Sequence, residues 1–171
     1  MRKFKLKKQN KGLTLIETLV AISVLLIGVV FPMSIYSQSI TNTRYAGDQI
    51  TAYYLAQEGL EFIKYRVNTN LNDGSNPDWL NGLTQCIQGG GCRVDSKSND
   101  ICWNNGPNCN SNIKLDNNGL YNYSTGNPTI FRRDVNIIDS GTEATIIVTV
   151  SWTRVGISKT LNVKENIYDW R

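Results

Sequence analysis

Histidine is absent from this chain of 171 residues, which removes the commonest general base of enzymes and the usual partner of a nucleophile. The sequence also has no P-loop, no paired-glycine nucleotide loop and no C-x2-C pair, so the common nucleotide and zinc motifs are missing. The 14 acidic residues are dispersed over the surfaces of predicted helices and strands. We therefore predict that the protein is not an enzyme and that it holds no cofactor and no metal.

Acidic residues are missing from the first twelve positions, where six of the 18 basic residues lie: Arg2, Lys3, Lys5, Lys7, Lys8 and Lys11. Without residues 1–12 the chain would keep 12 basic and 14 acidic side chains, so its charge balance would change from +4 to −2. The remaining body has no basic stripe, and we expect it to bind no nucleic acid. The basic cluster instead predicts that the N-terminus is cytoplasmic. The residues that follow the next, apolar segment should then lie outside the cytoplasm.

Charged residues are nearly absent from that next segment, because Glu17 is the only one in the 21 residues from Leu13 to Met33. A helix of this length measures about 31 Å, and the hydrocarbon core of a bilayer is about 30 Å thick. A carboxylate in such a segment is costly and usually marks a function, with a partner that neutralises it. Two other interpretations stay open: an ordinary secretory signal cleaved near Ser37-Gln38-Ser39, and a plain uncleaved anchor.

The junction between the basic and the apolar segment, Lys-Gly-Leu-Thr-Leu-Ile-Glu at residues 11–17, resembles the prepilin-type signal of type IV pilins and pseudopilins. The resemblance implies that a membrane peptidase cuts between Gly12 and Leu13 and then N-methylates Leu13. It also implies that Glu17 pairs with the terminal amine of an adjacent subunit. The implied partners are the prepilin peptidase and methyltransferase, other pilin or pseudopilin subunits, and the pilus assembly machinery in the membrane.

The C-terminal part carries a second resemblance, to minor pilins and minor pseudopilins. It rests on the pattern FRRDVNI, then IIVTVSWTRVG, then a strand ending in YDW, and on cysteines that lie mid-chain instead of near the chain end. The implied function is an assembly subunit of a type IV pilus or a related secretion filament. Such a subunit is a single-pass protein of the inner or cytoplasmic membrane before assembly, and later part of an extracellular or periplasmic filament. The alternative is a membrane-anchored extracellular adhesion or ligand-binding module.

Hydrophobic periodicity predicts an α+β fold in which one long N-terminal helix covers an antiparallel sheet of three or four strands. The second half of the helix has one expected core face: Ala46, Ile50, Tyr53, Gln57, Leu60, Ile63 and Val67. Three segments of alternating residues predict strands around Phe131–Ile137, Ile146–Trp152 and Leu161–Val163, the last two joined by a hairpin at 154–157. We divide the chain into a basic leader (1–12), a transmembrane and assembly helix (13–35), an amphipathic helix half (36–68), an Asn- and Cys-rich variable loop (69–127) and an antiparallel sheet (128–171).

The predicted loop contains all four cysteines, Cys86, Cys92, Cys102 and Cys109. An even number of cysteines in an exported domain favours two disulfides, for which three connectivities are possible. We favour Cys86–Cys92 and Cys102–Cys109, because the three glycines at 89–91 would let a short loop close. For the Asp-Asn-Asn-Gly run at 116–119 we predict a turn and not a calcium site. Of Arg132 and Arg133, one should face outward and one inward from the strand, and the inward one would need a partner that the sequence does not name.

Overall fold

The structure, a computed structural model, describes residue 12 and residues 14–73, 78–88, 90–103 and 112–170. Its helices are α1 (Leu15–Asn72) and α2 (Thr84–Ile87). Its strands are β1 (Cys92–Asp95), β2 (Asp100–Trp103), β3 (Lys114–Leu115), β4 (Tyr121–Asn122), β5 (Asn127–Pro128), β6 (Phe131–Asp139), β7 (Glu143–Arg154) and β8 (Ile157–Tyr168). One antiparallel sheet has the order β2-β1-β6-β7-β8, and a small second sheet has the order β4-β3-β5. The predicted α+β class, with a long N-terminal helix packed on antiparallel strands, is confirmed.

The chain divides into two compact units, Met1–Ala46 and Gly47–Arg171. Helix α1 contributes residues to both units. In the second unit, one face of α1 packs on the five-stranded sheet and shares a single hydrophobic core with it. The buried helix residues of this core are Ala52, Leu55, Ala56, Leu60, Phe62, Ile63, Val67 and Leu71. The strands contribute mainly the inward-facing residues of β6 and β7, among them Val135, Ile137, Ile146, Val148, Val150 and Trp152.

The predicted core face of α1 was partly wrong. Leu60, Ile63 and Val67 are buried as expected, but Ile50 is 58% exposed and Tyr53 is 54% exposed. The sheet instead contacts the stripe that contains the small residues of the helix, where the two backbones can approach most closely. At Gly59 an added Cβ would lie 3.0 Å from Cδ of Arg133 and 3.3 Å from Cγ1 of Val148.

The three predicted C-terminal strands are present as β6, β7 and β8, and a two-residue turn joins β7 to β8. The sheet is larger than the predicted three or four strands, because the segment 69–127 adds β1 and β2 to its edge. Strand β1 joins β6 where Cys92 pairs with Val135. The segment boundaries also differ, since α1 continues to Asn72 and strands occupy part of the predicted loop.

Arg133 lies on the inward face of β6 and is only 1% exposed. Its Nη1 donates to the carbonyl of Leu55 at 2.9 Å, and its Nη2 donates to the carbonyl of Val94 at 2.6 Å. Nη1 also lies 3.2 Å from Oε2 of Glu58. The partner that the sequence did not name is therefore a set of groups on α1 and β1. Because a buried guanidinium is stable only when paired, Arg133 holds α1 and β1 on the same sheet.

Replacement of Arg133 by methionine is expected to lower the free energy of unfolding by about 3 kcal/mol, because the Leu55 and Val94 carbonyls lose a buried donor and the half-buried Glu58 loses its ion-pair partner. Arg132 is the matched control, since its side chain is 41% exposed and pairs with Asp134 at the surface. Arg132→Met should lower the free energy of unfolding by about 0.5 kcal/mol, which is the usual contribution of an exposed ion pair. Urea unfolding of the full chain in detergent micelles, followed by tryptophan fluorescence, measures both values. Equal losses from the two substitutions would contradict this role for Arg133.

A bidentate ion pair joins the end of β7 to α1. Nε and Nη2 of Arg154 donate to the two carboxylate oxygens of Asp48 at 2.5 and 2.7 Å. These hydrogen bonds to Asp48 raise the pKa of Arg154 above its ordinary value. Since the two residues are 106 positions apart in the sequence, the pair connects the β7–β8 hairpin to the helix.

The two central residues of the β7–β8 hairpin turn are Val155 and Gly156, with φ angles of 50° and 76°. Positive φ at both central residues is the geometry of a type I′ turn, for which Asn-Gly is the preferred sequence. Valine is strained there, because a β-branched side chain rarely fits the left-handed region. Its side chain is 95% exposed and adds nothing to the core.

Replacement of Val155 by asparagine is expected to raise the free energy of unfolding by about 1 kcal/mol, because asparagine tolerates the left-handed conformation. Ile157, which is 62% exposed in the same hairpin, provides the control substitution Ile157→Asn. It should give no stabilisation, because no strained backbone is relieved at that position. The same urea titration measures both variants, and a loss of stability in Val155→Asn would argue against strain at the turn.

Candidate functional site at the start of the first helix

The site predicted from the sequence lies where α1 begins. Gly12 and Thr14 lie outside the helix, and Leu15 is its first residue. The carbonyl of Thr14 accepts hydrogen bonds from the backbone N–H groups of Glu17, at 3.1 Å, and Thr18, at 3.2 Å. Oγ1 of Thr14 also accepts from the N–H of Glu17, at 3.4 Å. Thr14 is therefore the N-cap of α1.

Glu17 lies in the first turn of α1, and its side chain is exposed. A carboxylate is favourable at this position, because the N-terminal end of a helix carries a partial positive charge. Within the part of the chain that the structure describes, no basic side chain forms an ion pair with Glu17. The described residues therefore do not supply a counter-charge for this carboxylate.

The structure describes some of the predicted site residues and not others. Gly12 precedes the N-cap by two positions, and Glu17 follows it by three. Leu13 and residues 1–11 lie outside the described residues, so the cleavage at Gly12–Leu13 and the methylation of Leu13 stay predictions. The sequence analysis gave Thr14 no capping role, although the spacing Thr-x-x-Glu is the known signature of a capped helix start.

Large apolar side chains surround the first part of α1. From Leu15 to Ile35 those of Leu, Ile, Val, Phe and Met are between 54% and 83% exposed. The helix is long and apolar enough in this part to cross a membrane. Soluble monomers rarely expose an apolar surface of this extent, so this surface is suited to a bilayer or to contact with other apolar helices.

Two hydroxyl groups within the apolar part of α1 form hydrogen bonds with the helix itself. Oγ1 of Thr18 donates to the carbonyl of Leu15, and Oγ of Ser23 donates to the carbonyl of Leu19, both at 2.8 Å. Such bonds lower the cost of placing a hydroxyl in an apolar environment. Glu17 is then the one charged side chain between Leu15 and Thr43, so it is the only residue there that requires an external counter-charge.

A family model described as the prokaryotic N-terminal methylation motif matches residues 7–31. The match covers the end of the basic segment, the helix start and most of the apolar segment. This match supports the resemblance of the N-terminal segment to the signal of type IV prepilins and pseudopilins. No curated protein and no solved structure matches the sequence at a significant level. The pilin family consists of structural subunits, which supports the prediction that this pilin-like chain is not an enzyme.

One disulfide of this pilin-like chain joins Cys86 in α2 to Cys92 in β1, with the two Cα atoms 4.5 Å apart. This is the pairing that the sequence analysis favoured, and it ties the segment after α1 to strand β1 of the five-stranded sheet. Cys102 in β2 is also disulfide-bonded. Cys109 lies outside the described residues, so the pairing Cys102–Cys109 stays a prediction.

The Asp-Asn-Asn-Gly run at 116–119 forms the expected turn. Oδ1 of Asp116 accepts from the N–H groups of Asn118 and Leu120, both at 2.9 Å. Its Oδ2 accepts from Nζ of Lys97 at 2.7 Å, and this bond holds the pKa of Asp116 below its ordinary value. Both carboxylate oxygens are thus engaged by donors of the protein, which favours turn chemistry at this position.

Proposed function

We propose that this chain is a minor pilin or minor pseudopilin, an assembly subunit of a type IV pilus or a related secretion filament. The observation that carries the proposal is Glu17, a single charge in an apolar, exposed helix surface, with no cation beside it in the described residues. The methylation motif at residues 7–31 and the pilin-like α+β layout support the same function. The minor subtype is supported by the C-terminal sequence pattern and by the mid-chain position of the cysteines.

Processing by a prepilin peptidase is the first step of the proposed function. Hydrolysis of the Gly12–Leu13 bond consumes one water and leaves a carboxylate on Gly12 and an amine on Leu13. A sulfonium methyl donor then transfers its methyl group to that amine and leaves as a neutral thioether, while the amine loses one proton. The cut removes every basic side chain that precedes Arg44, so the Leu13 amine becomes the only cation at the start of the mature helix.

Assembly is the second step, and it uses the charge that processing creates. The amine on Leu13 of one subunit pairs with Glu17 of a neighbour, while the apolar surfaces of their α1 helices come together. Each charge alone would be costly in these surroundings, and their attraction is much stronger there than at a water-exposed surface. The pair therefore sets the axial register of one subunit against the next.

A mass spectrum of the N-terminal peptide from the membrane fraction tests the proposed function. We expect a chain that begins at Leu13 and carries one methyl group. A chain that still begins at Met1 and is absent from filaments would favour the adhesion or ligand-binding module instead. Release into the medium after cleavage near residues 37–39 would identify an ordinary secretory signal.

A further inference from the structure

Strand β8 (Ile157–Tyr168) is the last strand of the five-stranded sheet. Each of its 12 residues pairs with one residue of β7, without a bulge, and β8 contains no proline. Among the residues that the structure describes, no strand pairs with its other edge. Natural edge strands are usually short, bulged, interrupted by proline or covered, and the mean strand has about 5–6 residues. A strand this long and regular leaves an edge to which a further strand can be added.

The hydrogen bonds between β7 and β8 show which backbone groups of β8 face the open edge. The N–H of Asp169, the residue after β8, donates to the carbonyl of Thr142 at 2.9 Å. In an antiparallel pair, residues that bond to the neighbouring strand alternate with residues whose backbone groups point away from it. The register therefore turns the backbone groups of Leu161 and Val163 toward β7. The residues whose N–H and C=O groups face the open edge are Ser158, Thr160, Asn162, Lys164 and Asn166.

The two faces of β8 differ in chemistry. On the inner face, Leu161 and Val163 are half-buried and pack against the core that the sheet shares with α1. On the outer face, the Oδ1 atoms of Asn162 and Asn166 accept hydrogen bonds from threonines of β7. Lys164 lies between them, is exposed, and is the only charged residue at the outer-face positions of β8. A strand added to this edge is therefore favoured when it carries apolar residues on the inner face and acidic residues on the outer face.

We propose that β8 is a docking strand for an extended segment of a partner protein, which adds to the sheet antiparallel to β8 and alternates apolar and acidic residues. Main-chain hydrogen bonds to the open edge supply affinity, and the side chains on the two faces supply specificity. A second copy of β8 is a poorer occupant, because its outer face offers Lys164 no acid. The contact does not involve the apolar segment of α1, so it is independent of the proposed cleavage and assembly.

Hydrogen exchange of the full chain in detergent micelles, followed by NMR, tests whether the edge is open. In the free chain, the amides of Thr160 and Lys164 should exchange about 100-fold faster than those of Leu161 and Val163, which bond to β7. A synthetic twelve-residue peptide that alternates valine and glutamate should then slow the exchange of Thr160 and Lys164. Protection of these two amides in the free chain would show that the edge is already covered, by this chain or by a second copy, and would overturn the proposal.

The substitution Thr160→Pro tests the backbone contact. It removes one N–H that faces the open edge and leaves the bonds to β7 intact, since proline is tolerated on an edge strand where the N–H points away from the sheet. Affinity for the valine–glutamate peptide should fall about ten-fold, because one carbonyl of the peptide is left without a donor. Thr160→Val keeps the N–H and is the matched control, which should bind as the wild type does. Fluorescence anisotropy of the labelled peptide measures the affinities, and urea unfolding shows whether both variants fold. Equal affinities of Thr160→Pro and the wild type would contradict pairing at this edge.

The substitution Lys164→Glu tests the chemistry of the partner separately from its backbone. It should weaken binding of the valine–glutamate peptide about five-fold, because like charges on adjacent strands repel, and should strengthen binding of a valine–lysine peptide to a similar degree. Lys114→Glu, in the separate sheet that contains β3, is the matched control and should change neither affinity. Unchanged preferences in Lys164→Glu would refute an acidic partner. Failure of the wild-type chain to bind the valine–glutamate peptide would refute docking at β8 and would leave the proposed processing and assembly unaffected.

Discussion

In the variant Gly12→Leu, the full-length chain with its basic leader still attached should be the only form found in the membrane. Glycine has no side chain beside the Gly12–Leu13 bond, so a leucine there would place four extra carbon atoms where the peptidase has to approach. The chain itself tolerates the change, because nothing lies within 4 Å of a Cβ added to Gly12. A loss of processing would therefore arise in the complex with the peptidase and not in the fold.

Gly28 provides the matched control for this variant. It also lies in the first unit, and a Cβ added to it meets nothing within 4 Å. Gly28→Leu should be trimmed normally, because it lies well beyond the cleavage bond. Immunoblots that separate precursor from mature chain measure both variants, and mass spectrometry identifies their first residue. A normally trimmed Gly12→Leu product would overturn the assignment of this bond to a prepilin peptidase.

The variant Glu17→Val is expected to enter the membrane and to be cleaved, but to reach filaments at a level about 100-fold below wild type. The neighbour's terminal amine would lose its counter-charge in an environment where a close ion pair contributes up to about 4 kcal/mol. The local cost of removing a carboxylate from the first helical turn is smaller, about 0.3–1 kcal/mol. If the substitution only weakened the helix, the loss of incorporation into filaments would therefore be slight.

Glu17→Gln separates charge from shape in the same experiment, since it keeps the length of the side chain and removes only the charge. Both variants should be deficient in the filament fraction and normal in the amount of mature chain in the membrane. Glu61→Gln is the matched control, because Glu61 is an exposed acid in the second half of α1, paired with Lys64. Normal incorporation of Glu17→Gln would show that the carboxylate does not neutralise a neighbour's amine.

Elements with a regular alternation of apolar and polar residues could be predicted from the sequence. Elements without such an alternation could not. Strands β6, β7 and β8 follow the alternation of apolar and polar residues, and a two-residue turn closes the β7–β8 hairpin as expected. Strands β1 and β2 are four residues each, and their burial does not alternate between the two faces. They were predicted as loop, because a short strand at a sheet edge has no periodic signal of its own.

The buried face of α1 shows a second limit of prediction from hydrophobic periodicity. Apolar residues occur all round the helix, so periodicity allowed both the face with Ile50 and Tyr53 and the face with Ala52 and Ala56. The choice depends on which face lets the helix backbone approach the sheet, and small residues permit the closer approach. Similarly, the spacing of Thr14 and Glu17 was present in the sequence, but their hydrogen bond became evident only once the helix start was located.

The sequence by itself determined the basic N-terminal segment, the apolar segment after it and the single acid within that segment, because charge and hydropathy are properties of neighbouring residues. The tertiary structure alone decided which face of α1 is buried, which strands complete the sheet and what neutralises Arg133. These outcomes depend on contacts between residues far apart in the chain, such as the bond from Arg133 to Leu55 across 78 positions. No local pattern records such a contact, since its stability comes from the fit of two surfaces that meet only in the folded protein.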